Sequence, residues 1–245
     1  MAIAEDSSKI PSSGYEFFNQ QWKTYQKILN NNYMGHREIY QVLQEFFLSY
    51  SPKPLTILEL GCGDAFFTAQ ALANINVASY QGIDLSNSAL EIATSNMARI
   101  PCSQTFTEGD FSLLVPQLAQ NPQQKFDVIL ISFALHHLNQ EQKDYVIGNL
   151  YRLLNPKGVV ILIDIFRKPE EDRETYLRRY LQTVQNSWDL LTPEEYSIVE
   201  NHMLSSDFPE TQSILDAIAQ KHDFHRCQQL YCDRLDTAQM LCFYR

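Results

Sequence analysis

No run of apolar residues in this 245-residue chain reaches 18, so the sequence holds no candidate transmembrane helix. The five cysteines, Cys62, Cys102, Cys227, Cys232 and Cys242, are odd in number and include no C-x-x-C pair. That argues against a disulfide framework and against a thiolate zinc site. The first residues, Met1 to Lys9, lack the apolar core of a signal peptide, so reduced thiols and a cytoplasmic location are expected. A basic stripe is also missing. Net charge is −10, and neither half is basic: residues 1–165 hold 10 basic against 15 acidic residues, and 166–245 hold 9 against 14. A protein that grips a polyphosphate needs Lys and Arg for counterion release, so nucleic-acid substrates are disfavoured. No internal repeat or low-complexity tract is visible. What remains is ordinary for a globular protein, with 44% hydrophobic and 20% charged residues, enough for one domain or one domain with an elaboration.

The chain begins with a Ser-rich leader and then shows helical spacing of Phe17, Phe18, Trp22, Tyr25, Ile28 and Leu29, predicting a helix over 15–30. A second amphipathic helix is predicted over 35–50. From Leu55 short apolar runs at 55–60, 79–84, 104–108, 126–132 and 158–165 alternate with helical segments. This rhythm predicts a parallel sheet with helices on both faces and a ligand outside the carboxyl ends of the strands. After Phe166 it is interrupted by helical segments at 170–188, 193–204 and 211–222. Thr192-Pro193-Glu194-Glu195 reads as a capping box. Two strands, 226–232 and 238–244, close the chain.

The chemistry starts at Glu59-Leu-Gly61-Cys-Gly63, a buried strand running into a Gly-x-Gly turn and then a helix. Glycine lets backbone approach a ligand where a side chain would intrude. The third glycine of a dinucleotide fingerprint is replaced by Phe66, and Asp64 stands where a phosphate would dock, which disfavours pyrophosphate and a bound NAD. Asp84, at the end of the next strand, is placed to accept both hydroxyls of an unphosphorylated ribose. Asp110-Phe111 follows the third strand, an acid for an exocyclic amine beside a ring that covers a base. Three acids at successive strand ends describe a nucleoside without phosphate.

With these motifs in order over about residues 55–165, the chain resembles the class I S-adenosylmethionine-dependent methyltransferases. The resemblance implies a Rossmann-like methyltransferase fold: a mostly parallel seven-stranded sheet with helices on both faces, an N-terminal helical lid and a helical insertion after the fifth strand. It divides the chain into a helical cap at 1–54 and a methyltransferase domain at 55–245 with its insertion at about 167–222. Residue by residue, it implies that Glu59, Gly61 and Gly63 cradle the methionine part of S-adenosylmethionine. Asp84, with Leu85, would take the ribose, and Asp110 and Phe111 the adenine. Ser132 and Phe133, at the end of strand four, lie near the reactive methyl group.

Methyl transfer is an in-line displacement, which demands neither a metal nor a covalent enzyme intermediate. A hydroxyl or protonated amine acceptor needs a base, and His136 and His137 are the candidates, with helix capping or packing as the plainer reading of each. Ser132-Phe133 replaces the Asn-Pro-Pro-Tyr loop used for planar amines, which disfavours a nucleobase or a protein glutamine. Acceptor contacts are sought in Tyr33, His36, Asp164, Arg179 and Tyr180, with Met34, Tyr176 and Trp188 nearby. The expected partner is a small molecule bonded at O or N, with the aromatic lid favouring an apolar or aromatic one. The competing readings are a sensor that binds S-adenosylmethionine or S-adenosylhomocysteine (SAH) without turnover, and a methyltransferase for a protein or lipid. Acceptor identity and oligomeric state are not written in the sequence.

Overall fold

The computed structural model describes residues 22–50 and 53–245, with the backbone alone at Trp22. The leader, Phe17, Phe18 and the Trp22 side chain lie outside the described residues. The elements run α1 Trp22–Asn30, α2 His36–Tyr50, β1 Leu55–Leu60, α3 Phe66–Ala71, β2 Val77–Asp84, α4 Asn87–Met97, β3 Ser103–Glu108, α5 Phe111–Leu118 and β4 Phe126–Ser132. A 3-10 turn at Leu135–His137 leads into α6 Gln140–Leu153, β5 Leu154–Ile165, α7 Arg173–Ser187, α8 Pro193–Ser206, α9 Gln212–Lys221, β6 Arg226–Cys232 and β7 Ala238–Tyr244.

The seven strands form one sheet in the order β3-β2-β1-β4-β5-β7-β6. The first five are parallel and β7 runs antiparallel between β5 and β6. From β1 the chain builds outward through β2 to β3, then returns to place β4 on the other side of β1. A crevice opens outside the carboxyl ends of β1 and β4 where that order reverses. Strands covered on both faces need apolar residues at every position, and β4 is buried along its whole length except Ser132. One face of the sheet packs Leu58, Leu60, Ile129 and Ile131 under α5, α6 and α9. The other packs Leu55, Ile57, Val128 and Leu130 under α2, α3 and α4. A third, smaller core joins Ile28 of α1, Ile165, Tyr176 and Tyr180 of α7, Trp188, and Val199 and Met203 of α8.

Helix boundaries follow their caps. Thr192 and Glu195 form the predicted capping box with Pro193 in the first turn, and Asn139 and Gln142 form a second one. Three features differ from the sequence reading. Strand β5 begins at Leu154 rather than 158, because Lys157 takes a left-handed conformation (φ 66°) and the register against β4 shifts there. Helix α2 does not belong to a cap: Ile39, Leu43 and Phe47 bury it on the sheet. Helix α9, expected within the insertion, sends Leu215, Ile218 and Ala219 into the sheet core beside α6. Among the described residues, α7 and α8 join α1 over the crevice.

Candidate active site

The turn after β1 is shaped by glycine. Gly61 sits at φ 68°, and a Cβ there would come within 2.6 Å of the Ala134 Cβ, so only glycine lets this turn pass under the loop after β4. Gly63, at φ 52°, has no atom of the described residues beyond its chain neighbours within 4 Å of where its Cβ would stand. Asp84 reaches back from β2 to this turn: its carboxylate accepts the Gly63 N–H at 2.8 Å and the Ser86 N–H at 2.9 Å. Those bonds aim the acid, while burial holds its pKa above the ordinary value.

Gly61, Gly63, Asp84, Leu85, Phe111, Ser132 and Phe133 line a single cavity of about 590 Å³. Seven of the nine residues expected at the cofactor are thereby brought together. The open face at Gly63 and the aimed carboxylate of Asp84 fit S-adenosylmethionine. Ser86, Ala89, Ala134, His137 and Tyr25 complete the walls; of these, the sequence reading placed Tyr25 in the lid helix and His137 among the candidate bases, and gave the other three no place in the site. The remaining two residues stand elsewhere. Asp110 caps α5, accepting the Ser112 N–H at 2.8 Å, and is outside the cavity lining.

Glu59 lines a neighbouring recess below the glycine turn with His36 and Tyr40. Its carboxylate accepts the Thr68 hydroxyl at 2.7 Å and the Tyr80 hydroxyl at 2.6 Å, so it organises the turn from beneath. Burial pushes it from the ordinary 4.5 up to about 7, against those two hydrogen bonds and with help from the Asp84 and Asp64 charges. Folding therefore takes up a proton between pH 4.5 and 7, and the stability this site contributes falls as pH rises through that window. A Glu59→Gln variant removes that dependence. In urea titrations at a series of pH values, the stability difference between variant and wild type should move in favour of the variant by on the order of 3 kcal/mol across the window.

A second cavity, of about 530 Å³, lies over β4 and β5 under the lid helices. It shares Tyr25, Phe133 and His137 with the first. Phe133 sits between them on backbone at φ 49°, a conformation few large side chains adopt, fixed by its N–H bonding the Ile163 carbonyl at 2.7 Å. The apolar walls are Ile28, Met34, Ile165, Tyr180, Trp188, Val199 and Met203, and the polar end is His136, His137, His202 and Asp207. His136 is buried, with Nδ1 facing the Asp164 carboxylate at 2.5 Å and its own N–H donating to the same carboxylate at 2.9 Å. Burial opposes its charge, but Asp164 and Asp207 outweigh burial and raise its pKa. Burial depresses His137 well below the ordinary range and lowers His202 to about 4. It also lifts Asp207 to about 6.

The candidates for acceptor contact divide. Tyr180 lines the second cavity, and Asp164 stands behind it through His136. His36 is buried against Phe67 and Phe133 on the cofactor side. Tyr33 stacks on Trp188 with ring centroids 5.1 Å apart, and its hydroxyl donates to Asp189, so it backs the wall rather than lining it. Arg179 points away from the cleft: its guanidinium grips Glu171 at 2.6 and 2.9 Å and reaches Thr237 at 3.0 Å. It ties the insertion to the terminal hairpin. An Arg179→Ala variant should lose about 2 kcal/mol in denaturant titrations, because the buried Glu171 loses its charge partner and keeps only the Lys168 N–H, with SAH binding unchanged. His202 and Asp207 were not found from the sequence. They come from the far end of α8 and its C-cap, away from the capping box that marks the helix start, and are brought to the site through packing of Val199 and Met203.

Comparison with known proteins agrees with this geometry. A family described as a methyltransferase domain matches residues 57–158. The malonyl-[acyl-carrier protein] O-methyltransferase of Halalkalibacterium halodurans is 30% identical over 129 residues, 52% of this chain and 45% of that protein, so the match spans less than half of that relative. An uncharacterized methyltransferase of Bacillus cytotoxicus is 26% identical over 217 residues, covering 86% of this chain and 91% of that one. Among solved structures, the magnesium protoporphyrin IX methyltransferase of Synechocystis PCC 6803 with bound SAH superposes with a TM-score of 0.64 at 15% identity. That superposition covers 95% of this chain and 97% of the other. At such identity the likeness speaks for the fold.

Proposed function

We propose that this chain, which belongs to the class I S-adenosylmethionine-dependent methyltransferases, methylates an oxygen or nitrogen of a small organic acceptor with an apolar or aromatic body and one polar end. The observation that carries the reading is the wall shared by the two cavities. Tyr25, Phe133 and His137 border both, so a group bound beside the glycine turn faces a molecule bound under the lid. Bound S-adenosylmethionine supplies a methyl group on a sulfonium, an electrophile that needs an aligned lone pair. The chain's own residues then have two tasks. Asp84 and the glycine turn hold the nucleoside, and the lid residues Ile28, Trp188, Val199 and Met203 orient the acceptor and exclude water.

The polar end supports an acceptor anchored there by an oxygen. One relative, the malonyl-[acyl-carrier protein] O-methyltransferase of Halalkalibacterium halodurans, is named for methylation at oxygen, which supports an oxygen acceptor. An acceptor without phosphates is favoured by the net charge of −10, which also disfavours nucleic acid. No helix among the described residues is long and apolar enough to cross a membrane. A reducing, cytoplasmic setting belongs to the proposal, supported by five cysteines without a C-x-x-C pair.

The test is transfer of labelled methyl from S-adenosylmethionine to a panel of small aromatic and aliphatic acids, phenols and amines. The expected result is a labelled organic product from aromatic members bearing a hydroxyl or carboxylate. SAH binding without label in any member would favour the sensor instead. Label incorporated only into added protein or lipid would overturn the small-molecule acceptor.

A further inference from the structure

Three imidazole nitrogens converge on one carboxylate oxygen at the polar end of the acceptor cavity. From Asp207 Oδ1, His136 Nε2 is 3.6 Å away, His137 Nδ1 3.6 Å and His202 Nε2 3.7 Å. These separations are too long for hydrogen bonds. Asp207 Oδ1 is buried and has no hydrogen-bond partner among the described residues, an expensive arrangement for a carboxylate unless something else meets it. The distances instead suit ligands of a common ion: two donors each about 2.1 Å from a tetrahedral centre stand about 3.4 Å apart. The donor atoms of His136, His137 and Asp207 all lie within 4.8 Å of one another.

We infer that His136 Nε2, His137 Nδ1 and an Asp207 carboxylate oxygen form a binding site for a divalent transition-metal ion, open toward the acceptor cavity. The support around the site is what such an ion requires. A metal-binding imidazole has its other nitrogen held by a carboxylate or carbonyl, which fixes the tautomer and turns the lone pair to the metal. Asp164 does this for His136: the 2.5 Å bond at Nδ1 commits the proton there and leaves Nε2 facing Asp207. Asp164 is itself fixed, accepting the backbone N–H groups of His136 and Ile165, each at 2.9 Å. His137 Nδ1 lies 3.3 Å from the Ser206 carbonyl, a contact the ion would replace. His202 stands edge-on to His137 with ring centroids 5.2 Å apart and is the next donor beyond the three.

Two nitrogens and one oxygen select zinc, iron(II) or cobalt(II) over magnesium or calcium, which prefer oxygen alone. Three protein ligands leave a position open, as in catalytic rather than structural sites. The remaining lining of the cavity is largely apolar, so the ligand for that position is an oxygen of the acceptor: a hydroxyl, an enol or a carboxylate. This last step rests on the small-molecule methyltransferase reading; the metal site itself does not. The ion would also fasten α8, which ends at Asp207, to the turn after β4 that carries both histidines.

The experiment is a titration of chelator-treated protein with Co²⁺ alone, followed by visible absorption, beside a separate calorimetric titration with SAH. The expected result is one Co²⁺ per chain with the intense visible bands of a low-coordinate site. Affinity should weaken at least 100-fold in both His137→Gln and Asp207→Asn. Asp84→Ala should bind Co²⁺ as wild type does while losing SAH, which separates the metal site from the cofactor site. Wild type that binds SAH but takes up neither Co²⁺ nor Zn²⁺ would overturn the inference, as would variants that bind Co²⁺ undiminished. If a variant does not fold, the stoichiometry and spectrum of the wild type decide. Stoichiometric Co²⁺ binding by protein that fails to bind SAH would uphold the metal site and defeat the functional reading alone.

Discussion

An Asp84→Ala variant should bind SAH at least 100-fold more weakly than wild type, with a melting temperature only modestly reduced. The carboxylate lines the cofactor cavity and is aimed by the backbone N–H groups of Gly63 and Ser86. An acid held this way can accept both hydroxyls of a ribose, and each charge-assisted hydrogen bond is worth roughly 1.5–3 kcal/mol. Losing two corresponds to about 3–6 kcal/mol, or a factor of about 100 to about 20,000 in Kd. The truncation also leaves the Gly63 N–H without its acceptor, so some loss comes from a looser turn. Asp84→Asn separates the two effects. Its carbonyl oxygen can keep one backbone bond, and its affinity should fall between those of wild type and Asp84→Ala. Calorimetry with a parallel thermal melt measures both.

The second large effect is expected at the lid. Val199 is buried on α8 and lines the acceptor cavity but not the cofactor cavity. Val199→Trp adds roughly 90 Å³ of side chain where a molecule would bind, at a stability cost of about 1–3 kcal/mol for overpacking. Methyl transfer to any acceptor identified should then drop at least 100-fold in kcat/KM, a loss of about 3 kcal/mol in transition-state stabilisation. SAH affinity should change less than about threefold, because the nucleoside lies on the other side of Phe133. Equal loss of SAH binding and turnover would mean that the two cavities are one site used differently.

The parts of this protein legible in its sequence are those written by backbone requirements. The Gly61–Gly63 turn could be read because a positive φ and a 2.6 Å approach to Ala134 leave no alternative residue. The ends of β1 and β4 could be read because these central parallel strands, buried along nearly their whole length, are unbroken apolar runs that stop at the crevice. Asp84 was found for the same reason, since its place at the end of β2 fixes its direction. Side chains that reach the site through tertiary packing left no such mark. Tyr25 and Trp188 have the same helical spacing as aromatics that only fill a core, and α8 delivers His202 and Asp207 from the end away from its capping box. Arg179 looked like an anion contact because its partner Glu171, eight residues earlier, is brought opposite only by the turn into α7. Asp110 illustrates the reverse: the position matched, but one of its oxygens serves the first turn of α5.

The most direct test is a crystal structure of the protein with SAH. The ribose hydroxyls should lie on the Asp84 carboxylate, the adenine beside Phe111, and the sulfur at the wall formed by Tyr25, Phe133 and His137, facing the cavity that ends in Asp207. A nucleoside bound with its sulfur turned away from that wall, or seated outside the crevice between β1 and β4, would contradict it.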